Sequence, residues 1–345
     1  MPAEFDLIAR IRRQVGPPGP GVLRGIGDDT AVLTLPGGSL LASSDALVEG
    51  IHFRLDLMDP RQLGWKALAV NLSDIGSMGG RPLFALITLG LRPGLDEAFV
   101  EALYDGLLRL ARDHGVQVVG GDTVTSPERL FIDVAILGVP GPGQPLLRSG
   151  AQPGDRVGVT APLGASAAGL AWLLAHPGPL RALPPPDARA VEACLRAHRE
   201  PEPRVRAGQL LAASRGVRAM MDVSDGLASE VHHLARESGV GFRLWADQVP
   251  IAPEAQVVAR LLDQDPWAWA LGGGEDYELL FTYDPAVEDR VQQALAEAGL
   301  ALHTLGEVTP PEAGITLVRD GREEPLAATG WVHRPDAVPS SNVPT

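Results

Sequence analysis

The sequence predicts a two-domain α/β protein with mixed β-sheets. Its 345 residues fit two domains or one large one. Hydrophobic residues make up 45% of the chain and aromatic residues only 5%, so the core must consist mainly of aliphatic side chains. Short apolar runs alternate with segments of helical periodicity. The turn at Gln152-Pro153-Gly154-Asp155 separates a domain of residues 1–150 from one of residues 151–335, and leaves 336–345 as a loose tail.

The chain begins with a helix and a hairpin whose two ends carry acidic residues. Apolar residues at helical spacing predict the helix over residues 4–15, and two apolar runs around Gly37-Gly38 predict the hairpin. Asp28-Asp29 precedes the hairpin and Asp45 lies at its end. Because antiparallel pairing brings the two ends together, we expect these carboxylates to converge at one edge. The alternative is a pair of ordinary solvated turns.

Strands and helices alternate through the rest of the first domain. Asp59-Pro60 predicts the start of a helix over residues 59–76, which contains a polar cluster at Asn71, Ser73 and Asp74. That cluster is either a frayed last turn or a carboxylate directed at the hairpin. The remaining predicted elements are a strand at 83–91, a helix at 96–114, a short buried strand at 116–119 that ends in Gly120-Gly121-Asp122-Thr123, and a strand at 130–139.

The second domain repeats the pattern of apolar strands next to acidic residues and glycines. One strand leads into Asp222-Val223-Ser224-Asp225-Gly226, and Gly272-Gly273-Gly274-Glu275-Asp276 precedes another. The predicted strands are 156–160, 219–222, 278–283, 302–308 and 315–319. The predicted helices are 164–176, 187–198, 205–214, 227–238 and 285–299.

Composition and motifs exclude several classes of function. The formal net charge of −14 argues against a nucleic-acid or anionic-membrane surface. Lys66 is the only lysine and lies between Trp65 and Ala67, so the chain has no P-loop. The single cysteine, Cys194, excludes an internal disulfide and a cysteine-based metal site. With neither a signal peptide nor an apolar run of about 20 residues, we expect a cytoplasmic protein.

The acidic residues predict binding of hard cations. Six aspartates lie at strand ends, in loops or at helix ends among small residues, without a histidine or cysteine cluster beside them: Asp29, Asp45, Asp74, Asp122, Asp222 and Asp225. Oxygen-only ligands select Mg²⁺ inside a cell, and Mg²⁺ usually shares its ligands with substrate phosphates. Several such ions could join a polyphosphate to an acidic surface, which accommodates the negative net charge.

Seven motifs, in order along nearly the whole chain, resemble those of the thiamine-monophosphate kinase family. They are Gly25-Ile26-Gly27-Asp28-Asp29, Ser43-Ser44-Asp45, Asn71-Leu72-Ser73-Asp74, Gly120-Gly121-Asp122-Thr123, Arg148-Ser149-Gly150, Asp222-Val223-Ser224-Asp225-Gly226 and Gly273-Gly274-Glu275-Asp276-Tyr277-Glu278. The resemblance implies an aminoimidazole ribonucleotide synthetase-like fold, with N-terminal sheets that pair across a homodimer.

The resemblance also implies a reaction. It is the ATP-dependent phosphorylation of thiamine monophosphate to thiamine diphosphate, by direct in-line transfer assisted by Mg²⁺ and without a covalent nucleophile. The alternatives are another ATP-using member of the same superfamily and a non-catalytic regulatory protein that binds Mg²⁺ and a nucleotide. A selenophosphate synthetase would carry a reactive cysteine near its N-terminus, which this sequence does not have.

The resemblance assigns roles to individual residues of this chain. The implied metal ligands are Asp29, Ser43, Ser44, Asp45, Asp74, Asp122, Asp222 and Asp225. The implied ATP contacts are Gly121, Asp122, Arg148 and Ser224, and the implied contacts to thiamine monophosphate are His52, Glu275 and Trp331. The segment after Trp331 departs from the family pattern, because His333 is followed by Arg334 where an aromatic residue is usual.

Overall fold

Two β-sheets, one in each half of the chain, organise the fold. The computed structural model describes residues 4–15, 17–177 and 183–331. The six-stranded N-terminal sheet has the order β1-β2-β3-β6-β4-β5. Its strands are β1 (Val22–Arg24), β2 (Ala31–Leu35), β3 (Gly38–Val48), β4 (Arg81–Leu91), β5 (Gln117–Thr125) and β6 (Phe131–Val139). All neighbours pair antiparallel except β4 and β5.

The C-terminal sheet has seven strands in the order β13-β12-β9-β11-β7-β10-β8. They are β7 (Arg156–Val159), β8 (Val217–Asp222), β9 (Gly241–Trp245), β10 (Leu279–Tyr283), β11 (His303–Thr309), β12 (Ile315–Arg319) and β13 (Arg322–Pro325). Only β12 and β9 pair parallel, so both sheets are mixed, as the sequence predicted.

Ten α-helices in the described ranges pack against these sheets. They are α1 (Glu4–Val15), α2 (Pro60–Ser77), α3 (Glu97–Asp113), α4 (Ala165–Ala175), α5 (Pro185–Arg199), α6 (Val205–Ala213), α7 (Leu227–Ser238), α8 (Pro253–Leu262), α9 (Pro266–Gly272) and α10 (Glu288–Glu297). Sequence reasoning did not identify β1, β9, α8, α9 or β13. None of the helices in the described residues is long and apolar enough to cross a membrane.

Helix α2 lies at the centre of the molecule. Asp59 caps its N-terminus in a capping box with Gln62, as its Asp-Pro start predicted. The helix is buried along most of its length because it packs against the N-terminal sheet and α3 on one side and against α6 and β8 of the second half on the other. At the contact with α6, a Cβ on Gly208 would lie 1.9 Å from the carbonyl oxygen of Gly76. This close approach brings side chains of α2 into contact with both halves of the chain.

The prediction of a short buried strand at residues 116–119 is wrong. Strand β5 continues through Gly120, Gly121 and Asp122 to Thr125, and its residues are mostly exposed because it pairs only with β4 at the edge of the sheet. A register shift at Val119 explains the two glycines. Gly121 has φ of +151°, and a Cβ there would lie 1.8 Å from the carbonyl oxygen of Ile87. The glycines therefore mark an irregularity within the strand instead of its end.

One face of the N-terminal sheet has no covering layer among the described residues. Helices α2 and α3 cover the other face, where alternate residues of β4 and β6 are buried. On the open face, Phe84 and Leu86 are 38% and 40% exposed. The predicted tail at 336–345 and the His333-Arg334 segment lie outside the described residues.

Candidate active site

Three aspartates converge where α2 meets the C-terminal sheet. Asp29 precedes β2, Asp74 lies in the last turn of α2, and Asp222 ends β8. One carboxylate oxygen from each lies within 4.8 Å of the other two, and all three residues are buried. The expected convergence of the hairpin with the Asp74 helix is thus present. Buried carboxylates this close to one another require a compensating cation or a proton.

Each of the three carboxylates accepts a hydrogen bond from a serine hydroxyl. The pairs are Ser43 with Asp74 at 2.5 Å, Ser73 with Asp222 at 2.5 Å, and Ser77 with Asp29 at 2.8 Å. Ser73 and Ser77 are four residues apart and share one face of α2. Hydrogen bonds to the carboxylates therefore order the polar cluster of this helix, and the interpretation of the cluster as a frayed turn is excluded.

Burial and repulsion between carboxylates make Asp222 and Asp74 hard to ionise. Burial and then the charge of Asp29 raise the pKa of Asp222 to about 7. Burial and then the charge of Asp45 raise the pKa of Asp74 well above its ordinary value. Arg148 is the cation closest to the cluster: its Nε donates to Asp29 Oδ1 at 2.7 Å, and a terminal nitrogen of the same guanidinium contacts the same oxygen. Sequence reasoning assigned Arg148 to ATP, and here it compensates an aspartate.

The Ser43-Ser44-Asp45 segment of β3 divides between the two faces of the sheet. The backbone N–H of Asp45 donates to Asn71 Oδ1 on α2 at 3.0 Å, which fixes this part of the strand against the helix. Ser44 points to the face opposite that of Ser43 and Asp45, because side chains alternate along a strand. Its hydroxyl donates to Asp133 on β6 at 2.7 Å. The side chain of Ser44 therefore does not join the three buried aspartates.

Glu230 of α7 orders the loop after Asp222. Its Oε1 accepts hydrogen bonds from the backbone N–H groups of Ser224 at 3.0 Å and Asp225 at 2.7 Å. The same loop is held from the other side, because the N–H of Glu275 donates to the carbonyl of Ser224 at 2.7 Å and the N–H of Trp331 donates to that of Asp225 at 3.1 Å. Four predicted site residues, Ser224, Asp225, Glu275 and Trp331, are thereby brought to one loop cluster.

Glu275 pairs with Lys66 and also contacts His198. Its Oε1 lies 2.7 Å from Nζ of Lys66 on α2, and its Oε2 lies 3.1 Å from Nδ1 of His198 on α5. Although burial opposes ionisation, the charge of Lys66 and the hydrogen bond from His198 hold the pKa of Glu275 well below its usual range. Lys66 is fully buried. Sequence reasoning used Lys66 only to exclude a P-loop, although a single lysine inside an apolar helix was a signal that it has a partner.

His52 and Trp331, the two other residues predicted to contact the acceptor, lie in different segments of the chain. His52 is in the turn after β3, and its Nδ1 accepts a hydrogen bond from the backbone N–H of Val48 at 3.0 Å. This bond places the proton of a neutral imidazole on Nε2. Trp331 is 49% exposed, so its ring is accessible beside the loop that carries Asp225.

A small polar cavity adjoins strand β5. It has a volume of about 290 Å³ and is lined by Ile87, Tyr104, Gly120, Gly121, Asp122 and Thr123. The N–H of Thr123 donates to Asp122 Oδ1 at 2.8 Å. Asp122 is exposed and is not one of the three clustered aspartates. Tyr104 of α3 also lines this cavity. Sequence reasoning did not single it out, because its position fits the apolar periodicity of an amphipathic helix.

Comparisons with known proteins follow the same division into two halves. The family model for the N-terminal domain of AIR synthase related proteins matches residues 27–139, and that for the C-terminal domain matches residues 152–318. The thiamine-monophosphate kinase of Escherichia coli (strain K12) is 38% identical over 332 residues, which are 96% of this chain and 98% of the relative. The Bacillus subtilis (strain 168) kinase is 37% identical over 96% of this chain and 99% of its own. The chain belongs to the thiamine-monophosphate kinase family.

Solved structures agree with this membership of the thiamine-monophosphate kinase family. AaThiL complexed with AMPPCP and TMP superposes with a TM-score of 0.83 at 33% identity, and the match covers 96% of this chain and 97% of that one. The thiamine-monophosphate kinase of Stenotrophomonas maltophilia K279a gives a TM-score of 0.74 at 35% identity over 94% and 98% of the two chains. E. coli HypE, a hydrogenase maturation protein, gives 0.68 at 22% identity and shares the fold alone. The family and the fold predicted from the sequence are confirmed.

Proposed function

We propose that this protein transfers the γ-phosphoryl group of ATP to thiamine monophosphate and so forms thiamine diphosphate. One observation carries the proposal: the chain matches thiamine-monophosphate kinases over 96% of its length. The AaThiL complex with AMPPCP and TMP, which has the same fold over 97% of its chain, supports both co-substrates. Both are phosphate compounds, and the strongly acidic site of this chain must accommodate them.

The acidic cluster fits a divalent cation such as Mg²⁺. Asp29, Asp74 and Asp222 supply only oxygen donors, and their buried charges exceed what Arg148 alone compensates. We assign these three as metal-holding residues and add Asp45, Ser43 and Asp225 from the adjoining segments. Two further assigned residues, Asp122 and Ser44, lie apart from the cluster and would serve additional ions. Bound Mg²⁺ would neutralise charge on the transferred phosphoryl group.

The nucleotide would lie between the cavity beside β5 and the loop after β8. Gly121 has no side chain, so a phosphate or ribose can approach the backbone of β5 closely. Tyr104 lines the same cavity and offers a ring and a hydroxyl. Arg148 and Ser224 would contact the phosphates. Arg148 would first have to give up its ion pair with Asp29.

The acceptor would occupy the opposite side of the site. His52 carries its proton on Nε2 and can donate it in a hydrogen bond to the phosphate monoester. Glu275 would accept a hydrogen bond from the organic part of thiamine monophosphate, and the exposed ring of Trp331 would pack against it. Because a phosphate monoester already carries an ionised oxygen, the transfer needs orientation and charge compensation more than a general base.

We also propose a homodimer that forms through the N-terminal sheet. The open face of that sheet exposes Phe84 and Leu86, and among the described strands β5 pairs with β4 alone, so its other edge is unpaired. A second copy would cover both the apolar face and the edge. Residues 1–150 would then carry dimerisation and part of the ATP site, and residues 151–335 the rest. The cytoplasmic location expected from the sequence stays a prediction.

An acceptor panel tests the proposed function. The purified full-length chain is incubated with ATP and Mg²⁺, and ADP release is measured with thiamine monophosphate and with the acceptors of related enzymes. We expect release that depends on thiamine monophosphate. Release that depends on another acceptor would replace this function with that of another superfamily member. Nucleotide binding without release in any mixture would make the chain a binding protein.

A further inference from the structure

Lys66 lies outside the seven motifs of the sequence and has an unusual environment. It is the only lysine in the sequence, and it lies within α2 with a fully buried side chain. An isolated ammonium group in such a place is strongly unfavourable. In the described part of the chain its Nζ has one oppositely charged neighbour, Glu275 Oε1 at 2.7 Å. The cost of burying Lys66 is therefore offset through Glu275.

The pair joins two elements that are far apart along the chain. Lys66 belongs to the helix that also carries Asp74, whereas Glu275 belongs to the loop between α9 and β10. The opposite oxygen of Glu275 contacts His198, and Ser166 Oγ lies 3.2 Å from the same ring nitrogen of His198. Burial and the charge of Lys66 lower the pKa of His198, so this histidine is neutral at neutral pH. Lys66 is then the cation that balances Glu275.

The loop around Glu275 needs such an anchor because its backbone is strained. Glu275 and Tyr277 both have positive φ angles, of 56° and 52°, which side chains other than glycine rarely adopt. Backbone bonds to Ser224 and Val223 hold the main chain of this loop. These bonds do not determine where the Glu275 carboxylate points. The carboxylate is oriented by the ion pair of its Oε1 with Lys66 and by the contact of its Oε2 with His198.

We infer that Lys66 is the positioning residue for Glu275, and that it orients this carboxylate to receive the organic part of the phosphoryl acceptor. This inference rests on the proposed function, in which Glu275 contacts thiamine monophosphate. The pair as a unit is electrically neutral, so Glu275 serves as an oriented hydrogen-bond acceptor for an N–H group of the substrate. Lys66 touches neither the metals nor ATP in this arrangement and acts only through Glu275.

A double-mutant cycle tests this inference in the full-length protein. The variants are Lys66→Met, Glu275→Gln and the double variant, with Arg218→Met as a matched control. Arg218 pairs with the buried Asp155 at 2.9 Å, and neither residue is assigned to the site. For each variant, KM for thiamine monophosphate, KM for ATP, kcat and the Tm of the ligand-free protein are measured.

The expected result is a selective and non-additive effect. Lys66→Met raises KM for thiamine monophosphate about tenfold or more, while kcat and KM for ATP change by less than about threefold. The double variant has the same KM for thiamine monophosphate as Glu275→Gln, because Lys66 acts through that residue. Glu275→Gln lowers Tm because it leaves the buried charge of Lys66 without its partner, and Lys66→Met lowers Tm because it leaves Glu275 without its balancing cation. The double variant recovers part of the loss. Arg218→Met lowers Tm without changing either KM.

Other outcomes overturn the inference. KM effects that add in the double variant would give Lys66 a contact of its own. A parallel rise in both KM values, or a Tm loss with unchanged KM, would make it a structural residue. If Lys66→Met does not fold, Glu275→Gln is compared with the double variant. The inference requires that these two variants have equal KM values for thiamine monophosphate. A wild-type protein without activity on thiamine monophosphate would instead refute the proposed function.

Discussion

Arg148 and Asp29 form an ion pair inside the acidic cluster, with Arg148 Nε 2.7 Å from Asp29 Oδ1. Burial opposes the charge of the guanidinium, but the nearby carboxylates outweigh it and raise the pKa of Arg148 above its ordinary value. The same carboxylate is an assigned metal ligand. Arg148 therefore supplies, at Asp29, the positive charge that a bound metal ion would otherwise supply.

Replacing Arg148 by methionine should increase the stabilisation that Mg²⁺ provides. Without the guanidinium, the three aspartates repel one another, and we expect the metal-free protein to lose about 3 kcal/mol of stability. Bound Mg²⁺ restores the balance, so the rise in Tm on adding Mg²⁺ should exceed that of wild type. Thermal unfolding with and without Mg²⁺ measures both effects. Arg218→Met is the control. If Mg²⁺ raises the Tm of Arg148→Met by no more than it raises that of wild type, Arg148 does not take the place of a metal charge.

Replacing Asp74 by asparagine should abolish Mg²⁺-dependent turnover and leave the fold intact. Asp74 is central to the cluster, and its change removes an oxygen donor and a negative charge without a change of size. We expect turnover to fall by about 100-fold or more, with Tm maintained, because the repulsion within the cluster also falls. Asp105→Asn, at an exposed position on α3, is the control. Near-wild-type turnover of Asp74→Asn would remove this residue from the metal site.

The metal-free protein should lose stability as the pH rises from about 4 to about 7, partly because of Asp276. Burial raises the pKa of Asp276 to about 7, although the N–H of Gly164 donates to the ionised carboxylate at 2.8 Å. In this pH range the folded state holds a proton that the unfolded state has lost, so folding is disfavoured progressively up to the folded pKa. Asp276→Asn should reduce the difference in unfolding free energy between pH 5 and pH 8 by a few kcal/mol. Urea unfolding in the presence of a chelator measures it, and an unchanged difference would refute the assignment.

Adjacent glycines of β5 should respond differently to alanine. At Gly121, φ is +151° and a Cβ would lie 1.8 Å from the Ile87 carbonyl oxygen, whereas at Gly120 the nearest atom is a flexible side chain at 3.4 Å. Gly121→Ala should cost about 3 kcal/mol or more of stability, and Gly120→Ala should stay within about 1 kcal/mol of wild type. Equal effects in urea unfolding would contradict the described path of the edge strand.

Local signals in the sequence predicted most elements and part of the site. The hairpin, the cap of α2 and the strand before Asp222 each depend on residues close together in the chain, so the positions of Asp29, Asp74 and Asp222 at the ends of elements could be predicted. The two glycines of β5 fit either a strand end or a bulge, and only the pairing with β4 distinguishes these interpretations. The partner of Lys66 lies in the other half of the chain, and a contact of that kind leaves no periodic pattern.

The most direct test of the central claim compares two acceptors. The full-length protein is incubated with ATP and Mg²⁺ and either thiamine monophosphate or thiamine, and the products are separated by chromatography. The acidic site is built to bind anions through metals, and a free hydroxyl would need a base to deprotonate it, whereas a phosphate monoester already carries an ionised oxygen. We therefore expect thiamine diphosphate from thiamine monophosphate and no phosphorylation of thiamine. Equal or faster phosphorylation of thiamine, or no diphosphate from the monophosphate, would contradict the account.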